Sequence, residues 1–133
     1  MVFRKNLGDE ISLTRGLDLP LLRKIQQNKN FSYKLFVGGM HVMKEFGESW
    51  RLIEKEGFKI AEKLSPLSNV DTPSGISLSM ANTCMSYGQI WKKYNTSLDL
   101  IFVLGDRYEM FAAASSLVPF NIPIAHIHGG ETT

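Results

Sequence analysis

A chain of 133 residues, 44% hydrophobic and 21% charged, is one domain's worth of ordinary globular protein. Its formal charge of +2 is too small to make nucleic acid or an anionic membrane surface the main partner. A single cysteine, Cys84, excludes an internal disulfide and a multi-cysteine zinc site. No stretch approaches a membrane span, Met1–Asp9 lacks a signal-peptide core, and the expected location is the cytoplasm.

In chain order, Asn6–Thr14 reads as a weak first strand, because it holds Asp9 and Glu10 and offers only Ile11 and Leu13 as apolar residues. Leu19–Asn28 carries Leu21, Leu22 and Ile25 at helical spacing, with Pro20 acceptable in a first turn. Tyr33–Val37 is a strand running into Gly38-Gly39. Trp50, Leu52 and Ile53 mark a helix that ends near Gly57. The longest helical pattern is Ile76–Tyr94, and Thr72-Pro73-Ser74-Gly75 supplies its start signal. Leu98–Leu104 is short and nearly all apolar, as buried parallel strands are. Tyr108–Val118 follows as an alanine-rich helix, and Ile122–Ile127 as a strand that tolerates Pro123 only near its start. Strands alternating with helices predict an α/β fold: a Rossmann-like parallel sheet with helices on both faces. Met40, Met43, Met80, Met85 and Met110 read as core filler and Cys84 as a buried thiol.

Three loops carry polar residues where such a sheet places its ligands, outside the carboxyl ends of the strands. In Gly105-Asp106-Arg107-Tyr108-Glu109, Asp106 is a good N-cap and Glu109 completes a capping-box pattern. The same helix start offers free N–H groups to an anion, and the planar fork of Arg107 suits a phosphate, leaving Asp106 near a reacting carbon. In His126-Ile127-His128-Gly129-Gly130-Glu131, strand alternation would aim both imidazoles at one pocket. Core histidines, a metal site and acid–base chemistry all fit that spacing. Zinc needs three or four ligands and the chain offers no convincing fourth, so acid–base chemistry is the preferred functional reading. Gly38-Gly39-Met40-His41 is the third loop, a turn that also permits close approach of a ligand. The chain has neither a Gly-x-Gly-x-x-Gly fingerprint nor a Walker motif.

The wording of these loops resembles the hydrolysing UDP-N-acetylglucosamine 2-epimerases of the sialic and legionaminic acid pathways. Gly105–Met110, the alanine-rich helix, Asn121–Thr132 and the Leu35–Gly47 segment carry the resemblance, which runs from about Thr14 to Thr133. It implies a glycosyltransferase-B type fold, of which residues 1–133 are most of the N-terminal half, with the C-terminal domain missing. It implies a UDP-sugar substrate, either UDP-N-acetylglucosamine or UDP-2,4-diacetamido-2,4,6-trideoxyglucose, no metal and no nicotinamide cofactor, and a homo-oligomer at full length. It assigns catalysis to Asp106, the phosphate side to Arg107, and substrate binding to His41 and His126. A branch of the family has a catalytic Glu at the position of His128, so that role falls here to His128, to Glu131 or to both. Near the N-terminus the family usually has Thr/Ser-Arg-Ala-Asp-Tyr-Gly, where this chain has Thr14-Arg15-Gly16-Leu17; Arg15 is the counterpart of the nucleotide-side arginine.

Overall fold

The computed structural model describes residues 2–5, 19–44, 47–64 and 72–129. Its elements are β1 (Val2–Lys5), α1 (Leu19–Gln27), β2 (Phe31–Tyr33), β3 (Leu35–Val37), α2 (Trp50–Lys55), β4 (Ile60–Lys63), α3 (Pro73–Tyr94), β5 (Leu100–Leu104), α4 (Tyr108–Leu117) and β6 (Ile124–Ile127). The candidate first strand at Asn6–Thr14 lies outside the described residues.

β3 pairs with β4, and β5 with β6, both in parallel. That is the arrangement expected of strands returned by helical crossovers. β1 departs from it: it sits between β2 and β5 and runs antiparallel to both, with Phe3 opposite Tyr33 on one side and Leu100 on the other. β2 and β3 are separated by Lys34 alone, which joins the four-stranded sheet β2-β1-β5-β6 to the β3-β4 pair.

Alternation along the strands builds two cores. Phe36, Ile101 and Val103 point to one face, where Tyr87, Ile90 and Trp91 of α3 and Ala113 and Leu117 of α4 cover them. Leu35 and Val37 point to the other, against Leu22 and Ile25 of α1, Ile53 of α2 and Phe58; Phe102 packs there too. Helices therefore cover both faces. The Trp91 ring stands edge-on to Phe36 at 5.6 Å and stacks on Tyr87 at 5.1 Å, while its indole N–H donates to Ser116 Oγ at 2.8 Å. α3 is capped as the sequence signals: Thr72 Oγ1 accepts from the Gly75 N–H at 3.2 Å and Pro73 takes the first turn. Among the described residues no helix is long and apolar enough to cross a membrane.

Candidate functional site

The loops after β3, β5 and β6 meet at one end of the sheet. After β3 the chain turns through Gly38 and Gly39 into a short 3-10 turn, Gly39–Val42. Gly38 is packed so closely that a Cβ would lie 3.2 Å from Leu64 Cβ. Gly39 has φ +62, a conformation that only glycine adopts freely, and a Cβ there would sit 3.2 Å from Glu109 Oε1. This contact joins the β3 loop to the start of α4. His41 is tied elsewhere: its Nδ1 lies 2.8 Å from the hydroxyl of Ser49, a buried residue just before α2.

The start of α4 differs from the capping pattern read in the sequence. The N-cap residue is Arg107, with extended backbone and no side-chain cap, and not Asp106. Gly105 takes φ +76 and turns the chain one residue later than the pattern assumes. Asp106 is exposed, and its carboxylate makes no hydrogen bond or ion pair among the described residues. Glu109 does not reach back to a backbone N–H as in a capping box. Its two oxygens accept from Arg107 Nε at 3.1 Å and Nη2 at 3.0 Å. That charge-assisted bond holds the guanidinium protonated even more firmly than usual. Tyr87, buried in α3, has its phenol pushed well up, first by burial and then by the nearby Glu109 charge.

The β6 end is stitched to the β5 loop. The Gly105 N–H donates to the Ile127 carbonyl at 2.8 Å. His126 Nε2 lies 2.8 Å from the Gly105 carbonyl; a carbonyl only accepts, so Nε2 carries the proton. Gly129 closes over the His126 ring, so that any Cβ there would overlap the imidazole. The expectation that His126 and His128 share a strand face does not hold as stated. β6 ends at Ile127, and His128 takes a left-handed conformation, φ +54, which breaks the two-residue alternation. Glu131 and Arg15 lie outside the described residues.

The structure thus gathers Asp106, Arg107 and His126 with the Gly38-Gly39 turn. The parts the sequence reading overlooked are Glu109 as partner of Arg107, Ser49 as partner of His41 and Gly129 as the seat of His126. Glu109 was visible only as a helix-start residue. Gly129 is conspicuous in sequence, but its reason is a contact with its own strand.

Residues 23–133 match the family described as UDP-N-acetylglucosamine 2-epimerase. The chain belongs to that family. It is 34% identical over 118 residues to the polysialic acid biosynthesis protein P7 of Escherichia coli, a match covering 89% of this chain and 30% of the relative. It is also 34% identical over 113 residues to the GDP/UDP-N,N'-diacetylbacillosamine 2-epimerase (hydrolyzing) of Campylobacter jejuni, covering 85% and 29%. The chain therefore spans about 30% of the length of these two relatives. The fold is likewise that of solved family structures. A crystal structure of UDP-N-acetylglucosamine 2-epimerase superposes with a TM-score of 0.71 at 16% identity, covering 87% of this chain and 29% of the other. The Neisseria meningitidis UDP-GlcNAc 2-epimerase bound to UDP-GlcNAc gives 0.67 at 20% identity over the same shares, 87% and 29%. These are glycosyltransferase-B type proteins, and the chain corresponds to their N-terminal part.

Proposed function

We propose that residues 1–133 form most of the Rossmann-like N-terminal half of a hydrolysing UDP-sugar 2-epimerase, and that the active site is completed by a C-terminal domain outside this chain. The observation that carries this reading is the exposed, unengaged Asp106 carboxylate beside Arg107, at the strand end where His126 and the glycine turn also converge. The names of the Campylobacter relative and its counterpart in Legionella pneumophila, a UDP-N,N'-diacetylbacillosamine 2-epimerase (hydrolyzing), support the hydrolysing type.

In this reading the sugar lies with C2 near Asp106. The C2 proton goes to a base at the site, the C1–O bond breaks, and UDP leaves with that electron pair, producing a glycal. Water then adds across the double bond, its oxygen to C1 and a proton to C2 on the opposite face, giving the free mannose-configured sugar. Asp106 takes part in the proton transfers, with His128 or Glu131 as the second acid–base group. Arg107 faces the diphosphate, where negative charge grows as the bond breaks. His126 and His41 contact the substrate, and Arg15 serves the nucleotide. No metal or nicotinamide is invoked. UDP-N-acetylglucosamine and UDP-2,4-diacetamido-2,4,6-trideoxyglucose are the two substrates proposed. The whole protein is proposed to act in the cytoplasm as a homo-oligomer.

The test is a chimaera in which this chain replaces the matching segment of the Campylobacter relative, incubated with each UDP-sugar and followed by NMR. Free mannose-configured sugar with UDP is the expected product. A UDP-linked epimer would instead assign the chain to a non-hydrolysing enzyme, and no reaction with either sugar would contradict the reading.

A further inference from the structure

The Arg107–Glu109 pair is asymmetric in its exposure. The Glu109 side chain is only 15% exposed, whereas that of Arg107 is 54% exposed. The carboxylate is the fixed member. It sits in the first turn of α4, where the helix end favours negative charge. One of its oxygens lies against Gly39, and its charge reaches the buried phenol of Tyr87. It takes only one edge of the guanidinium, Nε and Nη2. Arginine has five N–H donors in a rigid fork, so the Nη1/Nη2 edge keeps its donors for a second oxyanion.

We propose that Glu109 is a positioning residue: it holds Arg107 by one edge so that the other edge faces a diphosphate, and it sets the distance between the Arg107 loop and the Gly38-Gly39 turn. The diphosphate as partner rests on the function proposed above. The competing possibility is that Glu109 occupies Arg107 and excludes the anion. The geometry opposes it, because Glu109 takes Nε and Nη2 and leaves Nη1 outside its bond. Gly39 belongs to the same device. A side chain there would be strained by φ +62 and would push on the oxygen that holds Nη2.

The experiment uses the 133-residue chain, isotopically labelled, with inorganic diphosphate and UDP as probes. The Arg107 Nε–H signal, the dissociation constants and the thermal unfolding midpoint are measured for the parent, Glu109→Gln, Glu109→Asp and Gly39→Ala. In Glu109→Gln the Nε–H signal should shift and exchange faster, and diphosphate should bind roughly tenfold more weakly, about one factor of ten in Kd. The unfolding midpoint should change little. Glu109→Asp should recover part of the affinity, and Gly39→Ala should weaken diphosphate binding as Glu109→Gln does. Equal or tighter diphosphate binding by Glu109→Gln would overturn the proposal, as would an unmoved Nε–H signal or a parent chain that binds no diphosphate. A Glu109-dependent diphosphate response with no response to UDP would leave this inference standing and sink the nucleotide reading.

Discussion

Gly129 and His126 illustrate how single residues hold the candidate site together. The imidazole lies where any Cβ on Gly129 would overlap it, and its Nε2–H is spent on the Gly105 carbonyl. Gly129→Ala should therefore drive the ring out of its seat and break the bond that ties the β6 end to the β5 loop. An overpacked side chain of this kind costs about 1–3 kcal/mol, and loss of the bond adds to it. Chemical denaturation gives the stability change, and the His126 ring nitrogen shifts report the lost hydrogen bond. A stability within about 0.5 kcal/mol of the parent, with the ring signals unmoved, would show that the seat is not as drawn. Glu62 offers a residue-scale test on pH. Its carboxyl is held below the usual range first by the Lys93 ammonium, which donates to it, and then by the Tyr94 hydroxyl at 2.8 Å. A lowered carboxylate pKa stabilises the fold above the ordinary carboxylate range, and that contribution fades as pH falls through the lowered value. Glu62→Gln should remove this acid-side dependence while costing at most about 1 kcal/mol at neutral pH, since the ion pair is exposed.

At the scale of elements, α3 depends on its cap. Thr72→Ala removes the acceptor of the Gly75 N–H and should destabilise the chain by about 1 kcal/mol in a urea titration; Thr72→Ser should restore it. This start was legible in Thr72-Pro73-Ser74-Gly75, as β5 was in its apolar run and α4 in its alanines, because in each the local signal and the burial agree. β4 was not legible. Ile60-Ala61-Glu62-Lys63 is four residues long, half-buried through most of its length, and identifiable as a strand only beside β3. The antiparallel β1 was missed for a related reason: strand direction is set by the partner, and Val2–Lys5 carries no sign of it. In the site, Asp106 and Arg107 could be located because their loop follows an apolar strand, and His126 because it lies in one. The Arg107–Glu109 grip could not, since it depends on Gly105 shifting the helix cap from Asp106 to Arg107. His128 failed the alternation rule because the strand stops one residue before it.

At the scale of the molecule, the proposed function places chemistry between two domains, and a half-site does not preorganise a transition state. The 133-residue chain alone should release no UDP from either UDP-sugar, as a coupled assay for UDP would show; steady turnover would contradict the two-domain account. The proposed homo-oligomer also has a surface to use. Leu78 and Met85 on α3, Phe111 on α4 and Val118 just after it are 62–73% exposed, and Pro73–Trp91 carries no charged residue. A two-fold axis sets a face against its own copy, where like charges would repel; this stretch of α3 has none to repel. The chain should therefore sediment as a dimer, and Met85→Glu as a folded monomer.

The central claim is that the strand-end loops of this chain supply the reacting half of a UDP-sugar site, with Asp106 in the proton transfers. The most direct measurement is the turnover of Asp106→Asn in the chimaera with the Campylobacter relative, alongside its affinity for UDP. Loss of turnover by about 10²–10⁴-fold is predicted, the range expected when an acid–base group is removed, with UDP affinity kept within a few-fold. Near-parental turnover would leave Asp106 a surface carboxylate and contradict the account.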